Sequence, residues 1–324
     1  AAYVGPVVDR YVTTLDQALA GEEVAAPLRL MRSDGGVATP RSARDNPAAM
    51  LLSGPAGGVI AGAVMAGELS VADLVTFDMG GTSADFSVIA AGEPRMVTKR
   101  HVDGQPLRLP TLDIETISAG GGSIAHVDLG GALRVGPQSA GAEPGPACYG
   151  QGGSEATVTD AAVVLGIIHP GEFLGGEIPL NADLARDAVQ TNVAEPLALS
   201  LEAAALGIVR VASAGMIQAI RKLSVERGLD IRDFALLAFG GAGPIYAPFM
   251  ARDLDMTEVL VPLNPGVYAA QGLLMSDIRH TTQRAFQRRF SKVEETQLTE
   301  RLSEMRTELD EALGRDGIPV SERR

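Results

Sequence analysis

The chain has 324 residues, of which 46% are hydrophobic and 21% are charged, and these values are typical of a folded globular protein with a large core. A formal net charge of -13, with no basic stripe before the C-terminal tail, argues against binding to a nucleic-acid backbone. The single cysteine excludes an internal disulfide, and no apolar run approaches the roughly 20 residues that span a bilayer, so we expect a cytoplasmic protein outside the membrane.

The first half of the chain is predicted to be rich in strands. After an amphipathic N-terminal helix, PLRLMRSDGG predicts a strand and a turn, and Asn46 with Pro47 predicts the N-cap and first turn of a second helix. Small and aliphatic residues in GVIAGAVMAG favour close helix packing. Apolar and alternating residues then predict strands at 73–78, 84–90, 95–102 and 107–117, the first three forming an antiparallel meander. SIAHVD, LGG and ALRV predict a further hairpin.

Residues 136–153 form a segment rich in glycine and proline. It is too broken for a helix or strand, and it exceeds the usual connection of about 4–6 residues. Because it lacks the Lys, Glu and Gln of disordered tails, it predicts an ordered loop at a functional site.

The second half is predicted to be mainly helical. Helices are indicated at 159–168, 183–193 and 201–227 by apolar residues at helical spacing. ALLAFGGAGP, APFMARDLD, TEVLVPL and NPGVYAAQGLLMSDI then alternate strand and helix, which favours βαβ units. The last stretch predicts a charged amphipathic helix with a solvated face.

Three stretches share one design, in which a strand ends, glycines follow, and hydroxyl or acidic residues flank them. They are residues 78–83, 119–123 and 239–244. Consecutive glycine amides can converge on an anion, Thr82 and Ser83 can add hydroxyl donors, and the Asp78 carboxylate can hold Mg²⁺ or orient a water. Alternatively, Gly80 and Gly81 make an ordinary hairpin turn. The local sequence leaves both interpretations open.

The order of these turns adds specificity. A strand-Asp-Gly-Gly-Thr hairpin followed by strand-Gly-Gly-Ala-Gly-Pro-helix resembles the phosphate and adenosine loops of the actin, sugar-kinase and Hsp70 ATPase superfamily. The phrases LLSGPAGGV, TFDMGGTSAD, AGGGSIAHVD, LRVGPQSAGAEPGPACYG, TVTDA, SVERG, FALLAFGGAGP and NPGVYAAQGLL, in this order, resemble the hydantoinase A / 5-oxoprolinase family. That family includes ATP-dependent hydantoinase and oxoprolinase subunits and related subunits of acetone and acetophenone carboxylases.

The resemblance implies an α/β fold of the RNase H-like ATPase type, with a mixed sheet flanked by helices and a Gly/Pro-rich β insertion over residues 95–153. Residues 1–45 are expected to form an N-terminal helix and linking strand, residues 46–285 the ATPase-type domain, and residues 286–324 a C-terminal strand and charged helix leading to a further domain. Family members carry a first Asp-Gly-Gly-Thr loop upstream, so this chain is expected to be the central domain of a larger subunit.

The resemblance also implies ATP and Mg²⁺ as cofactors. Asp78, Thr82 and Asp85 are the expected catalytic residues, with Mg²⁺ held by Asp78 through water. The expected cofactor contacts are Gly80, Gly81, Ser83, Gly120, Gly121, Gly240, Gly241 and Gly243. The segments 53–58 and 265–271 would begin helices that link two lobes, or their glycines serve only helix packing.

A second divalent-metal site is a further hypothesis. His126, Asp128 and Cys148 lie in segments that resemble the family, and Asp113 and Glu115 precede the triple glycine. These side chains could converge on a metal, with His126, Asp113 and Cys148 as the leading candidates. Lone histidines are more often packed or exposed than ligating, and the chain has no H-x-x-x-H or C-x-x-C spacing. Cys148 has no adjacent base in the sequence, so a buried structural thiol is the alternative to a nucleophile.

The expected function is that of a domain in an ATP-dependent hydrolase subunit that opens hydantoins or 5-oxoproline. The amide oxygen is a poor leaving group, and phosphorylating it supplies activation and driving force. A companion hydantoinase B-type subunit or domain is the expected partner. The alternatives are an ATP-dependent ketone carboxylase subunit and a non-catalytic nucleotide-binding module.

Overall fold

The structure is a computed structural model that describes residues 2–102, 104–289 and 293–323. The helices are α1 Gly5–Gly21, α2 Pro40–Asp45, α3 Ala56–Leu69, α4 Val158–Val164, α5 Ala182–Val189, α6 Glu195–Leu197, α7 Leu201–Val225, α8 Gly243–Asp253, α9 Tyr268–Leu274 and α10 Glu295–Arg315. The strands are β1 Leu30–Met31, β2 Val37–Ala38, β3 Leu74–Met79, β4 Ala84–Ala90, β5 Glu93–Pro94, β6 Met96–Val97, β7 Arg100–Val102, β8 Gln105–Leu107, β9 Thr111–Leu112, β10 Ile114–Ile117, β11 Ser123–Val127, β12 Leu133–Ser139, β13 Ala235–Phe239 and β14 Val259–Leu260.

The chain divides into two compact units. One comprises Ala1–Ala56, Met96–Leu112 and Ser276–Arg324, and the other comprises Gly57–Arg95 and Asp113–Met275. This division differs from the expected boundaries at residues 45 and 285. The first unit joins distant segments through backbone hydrogen bonds, because the Leu112 amide donates to the Ser33 carbonyl (2.7 Å) and the Val37 amide to the Asp277 carbonyl (2.9 Å). Such long-range pairing leaves no local signal in the sequence.

The second unit is built on a mixed sheet with the order β10-β4-β3-β13-β14. Strand β4 is antiparallel to β3 and β10, whereas β13 is parallel to β3 and β14. A tight turn joins β3 to β4, while helix α8 joins β13 to β14, and these connections account for the two directions. The predicted mixed sheet and the predicted βαβ unit are confirmed.

Helices cover both faces of this sheet. On one face, a Cβ atom added to Gly58 of α3 would overlap the Phe239 ring, and one added to Gly62 would lie 3.1 Å from a Leu237 methyl. On the other face, Leu236 and Ala238 join the main core with α7 and α8. Successive β13 side chains alternate between the faces, as a strand requires. The predicted close packing of the glycine-containing helix is confirmed.

The longer helix predicted to start at Asn46 and Pro47 does not form, although a short 3-10 helix begins there. Helix α2 begins earlier, at Pro40, where the Thr39 hydroxyl accepts a hydrogen bond from the Ser42 amide (3.2 Å). Residues Pro47–Met50 form only one 3-10 turn. Thr39-Pro40 and Asn46-Pro47 are both helix-start signals in the sequence, and only Thr39 caps a helix with its side chain.

Several other expected elements are confirmed with altered boundaries. The hairpin β11–β12 forms, and helices α4, α5 and α7 occupy the predicted segments. The predicted strand at 107–117 is divided into the end of β8, then β9 and β10, since Pro110 lacks an amide donor. Strand β12 runs to Ser139, into the segment expected to be irregular. Residues 286–289 form no strand, residues 290–292 lie outside the described residues, and α10 confirms the charged helix.

Helix α7 is the central core helix of the second unit. Among the described residues, α7 is long enough and apolar enough by composition to cross a membrane. No segment of this kind is expected from the sequence. However, 56% of its most apolar window is buried inside the protein. Its buried residues include Ile208, Met216 and Ile220, at a spacing that lines one helix face. This pattern is typical of a core helix.

Candidate functional site

The ends of strands β3 and β13 bring two of the glycine turns together. Parallel pairing places Asp78 beside Phe239, so both strands end at the same edge of the sheet. Beyond that edge, the Ala242 amide donates to the Met79 carbonyl (2.9 Å), and the Gly240 amide donates to the Pro265 carbonyl (2.9 Å). The turns at residues 78–83 and 239–244 are therefore direct neighbours.

Gly240 provides the space in which the Asp78 carboxylate lies. Its φ of +79° falls in the left-handed region that favours glycine. A Cβ atom added there would overlap Asp78 Oδ1 and lie 2.5 Å from the Met79 carbonyl oxygen. A side chain at this position would thus displace the carboxylate or the end of β3.

The third glycine turn packs directly on the first. The Gly121 amide donates to the Gly80 carbonyl (3.1 Å), and the Gly122 amide donates to the Gly81 carbonyl (2.7 Å). A Cβ atom added to Gly120 would lie 2.5 Å from the Thr82 backbone nitrogen. The segment 120–122 is therefore a backbone support for the turn that follows Asp78.

The candidate glycines divide into two groups by their surroundings. A Cβ atom added to Gly80, Gly81 or Gly241 would meet no atom within 4 Å, so these three line open space in which a ligand can approach the backbone. By contrast, a Cβ atom on Gly121 would lie 2.7 Å from the Thr159 hydroxyl, and one on Gly243 would lie 3.2 Å from a backbone carbonyl. Gly121 and Gly243, like Gly120 and Gly240, have a packing role in the structure.

The turn itself is a closed hairpin. Strands β3 and β4 pair up to Met79 and Ala84, and the Gly80 amide donates to the Ser83 carbonyl (3.1 Å). The backbone of residues 79–84 therefore has the conformation of a hairpin turn, as the hairpin interpretation predicts. Thr82 is exposed beside the open glycines and Ser83 is partly buried, so the hairpin leaves room for the phosphate interpretation, which stays a prediction.

Two carboxylates face each other across this hairpin. Asp78 and Asp85 are partners in the β3–β4 register. Burial, with a further contribution from the Asp85 charge, raises the pKa of Asp78 to about 6. Asp85 accepts a short hydrogen bond from the Thr116 hydroxyl on β10. Paired carboxylate oxygens with a hydroxyl nearby are the donor set that suits Mg²⁺, which would also relieve the repulsion between like charges.

The structure does not bring together the residues expected to hold a second metal. Among the described residues, no group of three or more His, Cys, Asp or Glu side chains can hold a metal ion. Asp113 instead forms a two-point ion pair with Arg227 (2.8 and 3.1 Å). The Asp128 carboxylate holds the β11–β12 turn by accepting from Arg134 (2.8 Å), and His126 lies opposite Arg134 in that hairpin.

Cys148 is a fully buried thiol. Burial, followed by the charge of the neighbouring Asp160, raises the pKa of the Cys148 thiol. The Asp160 carboxylate accepts hydrogen bonds from the Ala147 and Cys148 amides and from the Thr157 hydroxyl (2.7 Å). A protonated, enclosed sulfur is a poor nucleophile, so the geometry favours the structural alternative.

Sequence reasoning missed Thr159, whose contact with Gly121 links α4 to the glycine turns. Its amide and hydroxyl both donate to the Gly121 carbonyl (2.8 and 2.9 Å). A signal was present in the sequence, because Thr157 and Asp160 form a capping box that marks the start of α4. The partner of Thr159, however, lies 38 residues away in the chain.

The segments expected to link two lobes meet as packed helices. A Cβ atom added to Gly272 of α9 would overlap the backbone of Gly57 in α3, and one added to Gly57 would overlap the Ala269 carbonyl. The two helices therefore touch backbone to backbone at these glycines. This contact supports the helix-packing interpretation of the glycines.

Comparison with known proteins gives one consistent family. The hydantoinase/oxoprolinase family profile matches residues 1–282. Caprolactamase subunit alpha of Pseudomonas jessenii is 41% identical over 281 residues, which cover 86% of this chain and 40% of that protein. The acetophenone carboxylase gamma subunit of Aromatoleum aromaticum is 41% identical over 230 residues, covering 70% of this chain and 31% of that protein.

A solved structure agrees with the sequence relatives. The crystal structure of ATP-dependent caprolactamase from Pseudomonas jessenii superposes with a TM-score of 0.82 at 36% identity, covering 99% of this chain and 47% of that chain. The chain belongs to the hydantoinase/oxoprolinase family, as its motifs indicate. It spans less than half the length of these relatives.

Proposed function

We propose that this chain is the nucleotide-binding domain of an ATP-dependent subunit that opens cyclic amides such as hydantoins or 5-oxoproline. The observation that carries the proposal is the meeting of three glycine turns around the Asp78 carboxylate, with open space over Gly80, Gly81 and Gly241. The similarity to an ATP-dependent caprolactamase supports it, because a caprolactam is also a cyclic amide.

The proposed fold is an actin-, sugar-kinase- and Hsp70-like ATPase lobe of the RNase H-like type. In support, the second unit joins an antiparallel β3–β4 hairpin to a parallel β13–α8–β14 unit in one sheet. Ligands of open α/β sheets bind beyond the carboxyl ends of strands, which is where the turns after β3 and β13 lie.

In the proposed site, the Gly81 amide and the hydroxyls of Thr82 and Ser83 bind phosphate oxygens, with Gly241 against the nucleoside. The Gly80 amide closes the hairpin by donating to the Ser83 carbonyl, so Gly80 contributes open space beside the phosphate rather than a donor. ATP supplies the phosphoryl group that activates the amide oxygen. Asp78 would hold Mg²⁺, and Asp85 would add negative charge that favours the cation. Gly120, Gly121, Gly240 and Gly243 shape the backbone around these groups rather than contacting the ligand.

A companion subunit of the hydantoinase B type is part of the proposal. Both the caprolactamase and the carboxylase relatives are named as subunits, which supports action within an assembly. We do not extend the proposal to a second metal at His126, Asp113 and Cys148, because each of the last two has another contact.

A ketone carboxylase subunit is the second candidate, favoured by the 41% identity to the acetophenone carboxylase gamma subunit. The same phosphate site would then activate a ketone enolate or bicarbonate. The open glycines belong to the nucleotide part of the site and are common to both candidates.

The test is an assay of ADP release by the full-length protein with its companion subunit. We expect release to depend on hydantoin, 5-oxoproline or a lactam, and Asp78→Asn to abolish it with folding retained. Asp187→Asn, an exposed change on α5, is the matched control and keeps full activity. Release that responds only to a ketone with bicarbonate would favour the second candidate, and release that responds to no substrate would contradict both.

A further inference from the structure

Thr159 is held in a fixed position at the start of helix α4. Residues Val158 and Ala161 on either side are fully buried in the main core. The Asp160 carboxylate, also fully buried, accepts from the Thr157 amide (3.0 Å) and from two amides of the preceding loop, so the first turn of α4 has little freedom.

From this position Thr159 forms two hydrogen bonds to the Gly121 carbonyl. Its amide and its hydroxyl both donate to the Gly121 carbonyl oxygen, at 2.8 and 2.9 Å. Thr159 itself is 7% exposed, so water does not readily replace the hydroxyl. Removing the hydroxyl would leave the Thr159 amide as the remaining donor of these two to the Gly121 carbonyl.

The segment that carries the Gly121 carbonyl is hydrogen-bonded directly to the candidate phosphate turn. The amides of Gly121 and Gly122 donate to the carbonyls of Gly80 and Gly81, and Gly120 leaves no room for a Cβ against Gly81 and Thr82. The contacts thus run from helix α4 through 120–122 to residues 80–82 without an intervening flexible side chain.

We propose that Thr159 is a positioning residue that sets the conformation of the turn at residues 80–82 through the Gly121 carbonyl. The proposal rests on the proposed function insofar as this turn binds the phosphates of ATP. Its physical basis is that a binding turn must present its backbone groups within a fraction of an ångström, which a flexible glycine pair does not achieve without external support.

The consequence for catalysis is specific. A turn that has lost its support spends part of its time in conformations that do not bind phosphate, so the apparent affinity falls by the fraction that remains competent. The reacting groups at Asp78 are held separately by β3 and by Gly240, so the rate at saturating ATP changes less than KM.

The experiment uses two substitutions in the full-length protein. Thr159→Val removes the hydroxyl and keeps the shape and backbone amide, whereas Thr159→Ser keeps the hydroxyl. We expect Thr159→Val to raise KM for ATP about 10-fold with at most a 3-fold fall in kcat, and Thr159→Ser to stay within about 3-fold of wild type in both.

Amide hydrogen exchange in the absence of nucleotide provides a readout that does not depend on activity. Faster exchange at Gly121 and Gly122 is expected in Thr159→Val and not in Thr159→Ser. Unchanged exchange in Thr159→Val, or faster exchange with an unchanged KM, would overturn the proposal. If wild type binds no ATP, the proposed function fails, and the exchange rates alone then decide whether Thr159 positions the turn.

Discussion

Asp78 and Asp85 stand directly opposite each other on antiparallel strands β3 and β4, at the end of a sheet where three glycine turns meet. Like charges in directly opposed positions destabilise a strand pair. Keeping the two carboxylates at the end of two largely apolar strands therefore costs folding stability. This cost is the reason to connect the pair with a cation-binding role.

The first prediction concerns stability and pH at Asp78. Its pKa is about 6 in the folded protein against 3.8 for the unfolded reference, so the folded state binds the proton more tightly. The stabilisation from the protonated carboxyl is complete below pH 3.8 and is lost as the pH rises through about 6. We expect the free energy of unfolding of wild type to fall by about 2 kcal/mol more than that of Asp78→Asn between pH 4 and pH 7.

Urea unfolding of both proteins across this pH range measures the difference. The comparison cancels contributions from the carboxylates that do not interact with Asp78. Parallel curves for wild type and Asp78→Asn would show that the carboxyl has an ordinary pKa. Added Mg²⁺ should reduce the loss for wild type alone, because a cation bound at the pair favours the ionised form.

The second prediction concerns the contact between Gly120 and the turn that follows Asp78. In Gly120→Ala the new Cβ atom would lie 2.5 Å from the Gly81 carbonyl carbon and the Thr82 nitrogen, which are both backbone atoms. We expect a loss of about 2–3 kcal/mol in the free energy of unfolding and a clear loss of ATP binding. Gly67→Ala in α3 is the matched control, since its Cβ meets nothing within 4 Å.

Calorimetry with ATP and thermal unfolding of both variants distinguish these effects. The control should be as stable as wild type or more stable, because alanine is the better helix former by about 1 kcal/mol. If Gly120→Ala behaves like Gly67→Ala in both measurements, the tight support of the turn is refuted.

The third prediction concerns the ion pair that occupies Asp113. The side chains of Asp113 and Arg227 are 10% and 21% exposed, and two hydrogen bonds between them join the residue before β10 to the segment after α7. Because Arg227→Met leaves the Asp113 carboxylate buried without its partner, we expect a loss of about 2–4 kcal/mol. Arg232→Met breaks an exposed pair with Asp230 and should cost much less, because solvent screens that pair.

A double-mutant cycle with Asp113→Asn tests the same pair. The second substitution should recover part of the loss, since the buried charge is then absent. Equal losses in Arg227→Met and Arg232→Met would contradict a buried structural role for the Asp113 pair.

The fourth prediction concerns the reactivity of Cys148. Burial and the nearby Asp160 charge keep its thiol protonated, so a thiol reagent should modify the folded protein only as fast as the region opens. Cys148→Ala should retain ATP turnover. Rapid labelling of the native protein, or loss of turnover in Cys148→Ala without loss of stability, would reinstate Cys148 as a candidate nucleophile.

The boundaries of several elements could be predicted from the sequence because their causes are local. Strand β4 covers the seven residues of ADFSVIA. The preceding Gly-Gly turn marks its start, and the alternating residues up to the next turn, AGEP, mark its length. The long helix α7 likewise follows from apolar residues at helical spacing. In both cases neighbouring residues in the chain carry the information.

Two causes limit the predicted helix at Asn46 and Pro47 to a short 3-10 helix: the side-chain cap forms at Thr39 and not at Asn46, and a long-range contact holds the segment. The Ser33 amide and hydroxyl both donate to the Ala49 carbonyl (2.8 and 3.1 Å), so this segment is tied to a turn that lies 16 residues earlier. Thr39-Pro40 and Asn46-Pro47 look equally suited to start a helix in the sequence. The contact between Ser33 and Ala49 cannot be read from either pair of residues.

By itself the sequence determined the family, the mixed α/β class and the three glycine turns with Asp78 at a strand end. Each of these rests on short phrases whose order can be read along the chain. Only the tertiary structure decided which glycines are packed and which line open space, why the pKa of Asp78 is raised, and that Asp113 pairs with Arg227 rather than a metal. The reason is that these properties depend on segments distant in the chain, such as β3 beside β13 and Thr159 on Gly121, whose partners are chosen only when the core packs.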